Sequence, residues 1–120
     1  MNTIETNPFE AKDARGEPRP LLSVVVPVLN EQAGIGPLLD RLLPVLEFET
    51  PDFEVLIIDD GSTDRTLDTV RARNAADPRI KAVALSRNFG KEIAVAAGLK
   101  HAAGGAVVIM DSDLQHPPEV

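Results

Sequence analysis

The sequence contains no Cys, Trp or Tyr, and aromatic residues make up only 3% of its 120 residues. Without cysteine there are no disulfides and no thiolate metal sites, so only carboxylate, amide and imidazole side chains remain as metal ligands. The scarcity of aromatic residues predicts an aliphatic core. Basic residues are also in the minority. The 12 Lys and Arg stand against 19 Asp and Glu, and the net charge of -7 argues against nucleic acid as a partner.

Long apolar runs are absent as well. No stretch approaches the roughly 20 apolar residues that cross a membrane. The N-terminus carries Glu5, Glu10 and Asp13 where a secretory signal would have a basic start and an apolar run. We therefore expect a segment that is soluble or peripheral and is not exported.

The first 20 residues differ in composition from the rest. Residues 1–20 combine charges with Gly16 and three prolines and show little apolar periodicity, which predicts a flexible N-terminal tail. Order is predicted to begin near Leu21. The length suits one domain or part of one, and no internal repeat is evident.

Four apolar runs predict strands. Residues 22–27, 55–58 and 106–110 are continuous runs, which indicates strands buried in a parallel sheet. Residues 80–85 alternate between apolar and polar, which predicts a strand nearer an edge.

Helical patterns separate these runs. Residues 35–48 have apolar positions three and four apart, although Pro44 predicts a kink or an early end. Residues 64–76 predict a surface helix, and the Ala-rich residues 92–103 predict a third helix. The order predicts an α/β domain with a mostly parallel sheet and helices on both faces. Ligands of such sheets bind beyond the carboxyl ends of the strands.

Carboxylates follow three of the predicted strands. Glu31 follows the first, Asp59 and Asp60 follow the second, and Asp111 and Asp113 follow the last. Like charges that are brought together need a cation or a set of donors. Oxygen ligands suit Mg or Mn, and Asp111 and Asp113 could share one ion that also binds a diphosphate. Such an ion stabilises a departing diphosphate.

Simpler explanations exist for each of these features. An Asp-x-Asp triplet alone is a weak signal, because Asp and Ser form turns after any strand. Ser62 or Asp64 could cap the second helix, with Asp64 the better candidate. Arg87 and Lys91 could offer charge to phosphates at a helix N-terminus or could belong to a solvated basic loop.

Three motifs in order resemble family 2 glycosyltransferases with the GT-A fold, a Rossmann-like nucleotide-diphospho-sugar transferase fold. They are residues 23–31 (SVVVPVLNE), 57–64 (IIDDGSTD) and 111–115 (DSDLQ). Residues 86–92 (SRNFGKE) and 113–119 (DLQHPPE) are similar to the polyprenyl-phosphate branch, which includes dolichol-phosphate mannosyltransferase and bactoprenol glucosyltransferases.

The resemblance covers residues 21–120, and it implies the truncated N-terminal, nucleotide-sugar-binding part of such an enzyme. The implied reaction transfers a hexose from a UDP- or GDP-sugar to a polyprenyl (dolichyl or undecaprenyl) phosphate with Mg or Mn. The parent enzyme would act at the cytoplasmic face of a membrane through a missing C-terminal region. Alternatives are a family 2 transferase acting on a glycan or lipid, and a nucleotide-binding fragment without turnover. A phosphoacceptor receiver domain fits poorly, because it expects its acidic pair after the first strand.

The resemblance also implies binding residues. Pro27, Leu29 and Glu31 would line the nucleotide pocket, and Ile57 and Asp59 would hold the base, with Asp59 accepting from a ring nitrogen.

The remaining implied residues surround the diphosphate. Lys91 would lie near the nucleotide or diphosphate, and Asp111 and Ser112 would lie by the ribose and phosphates. Asp113 and Gln115 would bind the metal together with the diphosphate, so Asp111, Asp113 and Gln115 form the implied metal site. No catalytic residue is assigned within the chain.

Overall fold

Strands and helices alternate along the described part of the chain, residues 22–112 of a computed structural model. The elements are β1 (Leu22–Val28), α1 (Ile35–Glu49), β2 (Phe53–Asp59), α2 (Thr66–Ala76), β3 (Ile80–Ala84), α3 (Lys91–His101) and β4 (Ala106–Ile109). The predicted tail, Asp113 and Gln115 lie outside the described residues. Within residues 22–112, no helix has the length and apolar character needed to cross a bilayer.

The strands form one parallel sheet in the order β3-β2-β1-β4. The ladder between β1 and β2 runs from Leu22 opposite Phe53 to Val28 opposite Asp59. The chain moves outward from β1 to β3 and then crosses back to place β4 on the other side of β1. The carboxyl ends of β1 and β4 therefore flank the point where the strand order reverses, which is where open α/β sheets bind ligands.

Helices cover both faces of the sheet. Successive side chains of a strand point to opposite faces, so β1 supplies both cores. On one face, Val24 and Val26 belong to the cluster that includes Leu39 of α1 and Val70 of α2. On the other face, Val25 packs with Leu56, Ile58 and Ala94 of α3. The predicted α/β class, with a parallel sheet and helices on both faces, is confirmed.

The prediction that the last strand is buried is wrong. β4 is a strand, but Val107, Val108 and Ile109 are 39%, 48% and 49% exposed. The reason is its position. Among the strands of residues 22–112, β4 lies at the edge of the sheet beside β1, and α3 packs on β1 and β2. The prediction that the strand at residues 80–85 lies near an edge is confirmed by β3 at the opposite edge.

Pro44 does not end the first helix early, contrary to one of the two outcomes predicted for it. α1 continues through Pro44 to Glu49. Leu38 and Leu42 are buried before the proline and Leu46 is buried after it, so packing holds both sides against the sheet. Burial of these side chains offsets the hydrogen bond that proline removes.

Candidate functional site

A cleft of about 300 Å³ opens at the carboxyl edge of the sheet. Its lining residues are Pro27, Val28, Leu29, Glu31, Asp60, Asn88, Gly90, Lys91, Asp111 and Ser112. They come from the ends of β1, β2 and β4 and from the start of α3. The cleft therefore lies at the reversal point of the strand order, and its volume is at the small end of ligand pockets.

Most of the sequence-predicted site residues meet in this cleft. The predicted residues in its lining are Pro27, Leu29, Glu31, Lys91, Asp111 and Ser112. Ile57 and Asp59 are not in the lining, since Ile57 is fully buried in the core and Asp59 is 3% exposed. The role of these two residues in holding a base stays a prediction.

Asp59 turns toward the loop that follows it. Its Oδ1 accepts hydrogen bonds from the hydroxyl of Ser62 and from the Ser62 backbone N–H at 3.3 Å. The same hydroxyl oxygen accepts a hydrogen bond from the backbone N–H of Asn30 at 2.8 Å. Asp59 thus supports the loop after β1 through Ser62.

The loops after β1 and β2 are tied together by further hydrogen bonds. The backbone N–H of Thr63 donates to Asn30 Oδ1 at 2.8 Å, and that of Glu31 donates to Thr66 Oγ1 at 2.8 Å. Asn30 has a φ of 52°, a left-handed conformation that Asn tolerates better than most residues. These contacts fix the backbone from which Leu29 and Glu31 reach the cleft.

The prediction that Asp64 caps the second helix is wrong, because the N-cap of α2 is Arg65, no side chain makes a cap hydrogen bond there, and Asp64 lies one residue earlier. Its Oδ1 accepts the backbone N–H of Thr66 at 2.9 Å. The hydrogen bond from the Thr66 side chain, with further backbone donors, lowers the pKa of Asp64. Asp64 is therefore a structural residue of the loop.

Among the described residues, the lining of the cleft contains three carboxylates and one lysine. Glu31, Asp60 and Asp111 contribute carboxylates, and Lys91 pairs through Nζ with Asp111. The hydroxyl of Ser112 donates to Glu31 Oε1 at 3.3 Å, which links the end of β4 to the loop after β1. Lys91 and Asp111 are 60% and 54% exposed, so both charges are accessible to a ligand.

Asp60 is a lining residue to which the sequence reasoning gave no role of its own. It is 4% exposed, and its carboxylate accepts the backbone N–H groups of Phe89 and Gly90 at 2.8 and 3.0 Å. The position of Asp60 directly after Asp59 was the sequence feature that could have indicated a separate role for Asp60. Neighbouring residues of an extended chain point in opposite directions, so two consecutive aspartates are expected to differ in role.

The described residues supply some of the oxygen ligands that a hard divalent metal ion needs. Residues 22–112 contain no group of three or more His, Cys, Asp or Glu residues that could hold a metal. Asp111 is the one implied metal ligand inside that range, and the side-chain oxygens of Glu31 and Ser112 belong to residues that line the same cleft. Mg²⁺ often takes one or two carboxylates and completes its shell with substrate phosphates. The oxygen chemistry therefore fits Mg or Mn.

The fold and the cleft are those of an open α/β protein. Proteins of this class bind ligands at the point where the strand order of the parallel sheet reverses. The family model described as Glycosyl transferase family 2 matches residues 23–120. The chain belongs to that family, which confirms the resemblance seen in its motifs.

Curated relatives are longer than this chain. It is 44% identical over 98 residues to the uncharacterized glycosyltransferase YkcC of Bacillus subtilis, covering 82% of the chain and 30% of the relative. It is 40% identical over 99 residues to the undecaprenyl-phosphate 4-deoxy-4-formamido-L-arabinose transferase of Edwardsiella ictaluri, with coverage of 82% and 30%. The chain therefore spans about 30% of the length of these relatives.

Solved structures of nucleotide-sugar glycosyltransferases share the fold. S. aureus TarS in complex with UDP-GlcNAc has a TM-score of 0.64 at 35% identity over 78% of this chain and 26% of TarS. The mannosyltransferase PcManGT of Pyrobaculum calidifontis, in complex with GDP-Man and Mn²⁺, has a TM-score of 0.63 at 33% identity, covering 79% and 28%. The predicted GT-A fold class is confirmed.

Proposed function

We propose that the chain is the donor-binding part of a hexosyltransferase that uses a UDP- or GDP-sugar and a divalent metal ion. The observation that carries the proposal is the cleft at the carboxyl ends of β1 and β4, where Asp111, Ser112 and Lys91 meet Glu31. Nucleotide-sugar complexes of TarS and PcManGT, which have the same fold, support the donor class.

The residues proposed to bind the donor have different roles, and they include two residues outside the cleft lining. Pro27 and Leu29 form the wall at the end of β1, while Ile57 and Asp59 of β2 are proposed for the base. Lys91 offers its ammonium to the diphosphate, and its position at the first residue of α3 adds the positive end of the helix dipole.

The metal would be held by Asp111 together with Asp113 and Gln115, which lie outside the described residues. When bound, Mg or Mn stabilises the negative charge that develops on the departing nucleoside diphosphate. Asp111 is free to serve because its pair with Lys91 is exposed to solvent and opens at low cost.

The proposed acceptor is a polyprenyl phosphate, dolichyl or undecaprenyl. A phosphate oxygen forms the new bond to the anomeric carbon as the bond from that carbon to the nucleoside diphosphate breaks. An acceptor that is already anionic needs less help from a general base than a sugar hydroxyl. The name of the Edwardsiella relative supports this acceptor. A lipid acceptor would place the full-length protein at the cytoplasmic face of a membrane.

A second candidate is nucleotide-sugar binding without transfer. Its support is the same cleft, whose lining residues would bind a nucleotide sugar whether or not transfer follows. A family 2 transferase acting on another glycan or lipid is the alternative within the enzyme class. Donor binding is common to all of these candidates, so it is the first property to measure.

The test is calorimetric titration of UDP-glucose and GDP-mannose into the chain with Mn²⁺, then with EDTA, and then with Asp113→Ala. We expect one donor to bind in a metal-dependent manner and to lose affinity in the variant. Failure of both donors to bind a chain that is folded by circular dichroism overturns the proposal. Adding undecaprenyl phosphate then separates the candidates, because binding without sugar transfer favours the second one.

A further inference from the structure

We propose that Asp60 is a positioning residue that fixes the loop before α3 and thereby places Lys91 for the donor diphosphate. The inference rests on the proposed function and assigns a role to a carboxylate of the cleft to which the proposed function gives none. Three features of the β3–α3 connection support it: the partners of Asp60, the space at Gly61 and the position of Lys91.

The partners of Asp60 are two consecutive backbone amides. Its Oδ1 accepts from Phe89 N and its Oδ2 accepts from Gly90 N, at 2.8 and 3.0 Å. Asp60 is 4% exposed, so water competes little for these contacts. Hydrogen bonds to an ionised, buried acceptor are stronger than neutral ones. One side chain at the carboxyl end of β2 therefore fixes two successive residues of the loop before α3.

Gly61 brings the same loop into direct backbone contact. A Cβ at Gly61 would lie 2.4 Å from both Arg87 C and Asn88 N, and the residue has a φ of 79°. Only a residue without a side chain lets the loop backbone approach this closely. The dipeptide of Asp60 and Gly61 thus contacts the loop by hydrogen bonds and by close packing, which are two independent observations.

The fixed loop leads directly into the cleft. Gly90, with a φ of 104°, ends the loop, and Lys91 begins α3 and pairs with Asp111. Asp60, Gly90 and Lys91 all line the cleft. The loop therefore connects the ends of β2 and β4 through Lys91. A ligand-binding group must be held within about 0.5 Å of its productive position, which a buried carboxylate with two donors can ensure.

A double-mutant cycle with Asp60→Asn and Lys91→Met tests the inference. Asn has the same shape, but its NH2 group cannot accept the second backbone N–H. We would measure the affinity for UDP and GDP with Mn²⁺ by calorimetry in the wild type, both single variants and the double variant. We expect each single variant to bind the preferred nucleotide about tenfold more weakly, and the double variant to bind no more weakly than Lys91→Met alone.

Binding of a nucleoside monophosphate distinguishes a positioning role of Asp60 from a general structural role. A general structural role would weaken the binding of monophosphate and diphosphate alike. Affinity for UMP or GMP should change less than twofold in Asp60→Asn, because Lys91 is assigned to the diphosphate. Asp68→Asn, an exposed carboxylate on α2, is the matched control. Additive losses in the double variant, or equal loss of monophosphate and diphosphate binding, overturn the inference.

If Asp60→Asn does not fold, amide hydrogen exchange of the wild-type chain tests the inference instead. The amides of Phe89 and Gly90 should exchange slowly without any nucleotide, and fast exchange of both would overturn the inference. A wild type that binds neither UDP nor GDP contradicts the proposed function, whereas a wild type that binds but shows an additive cycle contradicts only the role of Asp60.

Discussion

Lys91 and Asp111 form an ion pair that joins the start of α3 to the residues after β4. Both side chains are more than half exposed, and exposed pairs contribute at most about 1 kcal/mol to stability. The pair therefore places two charges in the cleft but contributes little to the stability of the fold. A donor diphosphate and its metal ion can take these charges over at little cost.

Asp111→Asn tests this directly. The substitution keeps the shape of the side chain and removes the charge proposed for the metal. We expect the affinity for the preferred nucleotide sugar in Mn²⁺ to fall at least about tenfold, with the melting temperature unchanged, because the lost ion pair is exposed. Calorimetry and thermal melting measure the two effects.

Asp52→Asn is the control for that variant, since Asp52 is an exposed carboxylate before β2, at the opposite end of the sheet. It should bind the donor as the wild type does. Equal affinity of Asp111→Asn and wild type would remove Asp111 from the proposed site.

The motifs at the strand ends were predictable because parallel strands bring their carboxyl ends to one edge. Glu31 and Asp111 lie 80 positions apart in the sequence and line the same cleft. The exposure of β4 was not predictable, because an apolar run has the same composition whether its neighbours cover it or not. The role of Asp60 depends on a backbone contact with residues 89 and 90, which no local pattern encodes.

Glu54 illustrates the same limit at the residue just before the strand predicted at residues 55–58, which the structure includes in β2. It is 2% exposed in β2 and accepts hydrogen bonds from Ser23 Oγ at 2.6 Å and Ala103 N at 2.8 Å. Lys81 Nζ lies 2.9 Å from its other oxygen. Gly104 N donates to the same Ser23 oxygen at 2.8 Å. The carboxylate therefore ties the connection before β4 to three strands.

Glu54→Ala is expected to lower the free energy of unfolding by about 3 kcal/mol, because it leaves buried donors and the Lys81 charge without their partner. Urea denaturation monitored by circular dichroism measures the change. Glu47→Ala removes an exposed partner of Arg79 and should cost less than about 1 kcal/mol. Equal costs for the two variants would show that the Glu54 contacts do not stabilise the fold.

The same carboxylate predicts a pH dependence. Burial acts to raise the pKa of Glu54, but hydrogen bonds from Ser23, Ala103 and Lys81 outweigh it and hold the pKa below its ordinary value of 4.5. A lowered folded-state pKa stabilises the fold above the unfolded pKa, and this stabilisation is lost as the pH falls through the folded pKa. The difference in melting temperature between wild type and Glu54→Gln should be constant from about pH 7 to 5 and shrink below about 4.5.

The comparison with Glu54→Gln removes the effect of other carboxylates. Asp40 and Asp77 also have a lowered pKa, chiefly because arginine side chains donate hydrogen bonds to them, but both are present in each protein. A difference that stays constant down to pH 3 would contradict the assignment to Glu54.

Gly98 sets how closely α3 approaches the sheet. A Cβ at this position would lie 2.3 Å from Val25 Cγ1 and 3.2 Å from Ile58 Cγ1, in the core beneath the helix. Ala normally stabilises a helix by about 1 kcal/mol relative to Gly. Here overpacking of a buried contact costs about 1–3 kcal/mol, so we expect Gly98→Ala to lower the free energy of unfolding overall.

Gly36→Ala in α1 is the matched control for that variant, because its Cβ would meet only the end of the Arg73 side chain, 3.2 Å away. Because the Arg73 side chain can move, the higher helix propensity of Ala should determine the change in stability. The variant should be as stable as the wild type or slightly more stable. Urea denaturation of both variants gives the comparison. If Gly98→Ala is stabilised as much as Gly36→Ala, α3 has room to move away from Val25, and the close packing of α3 on the sheet does not limit stability.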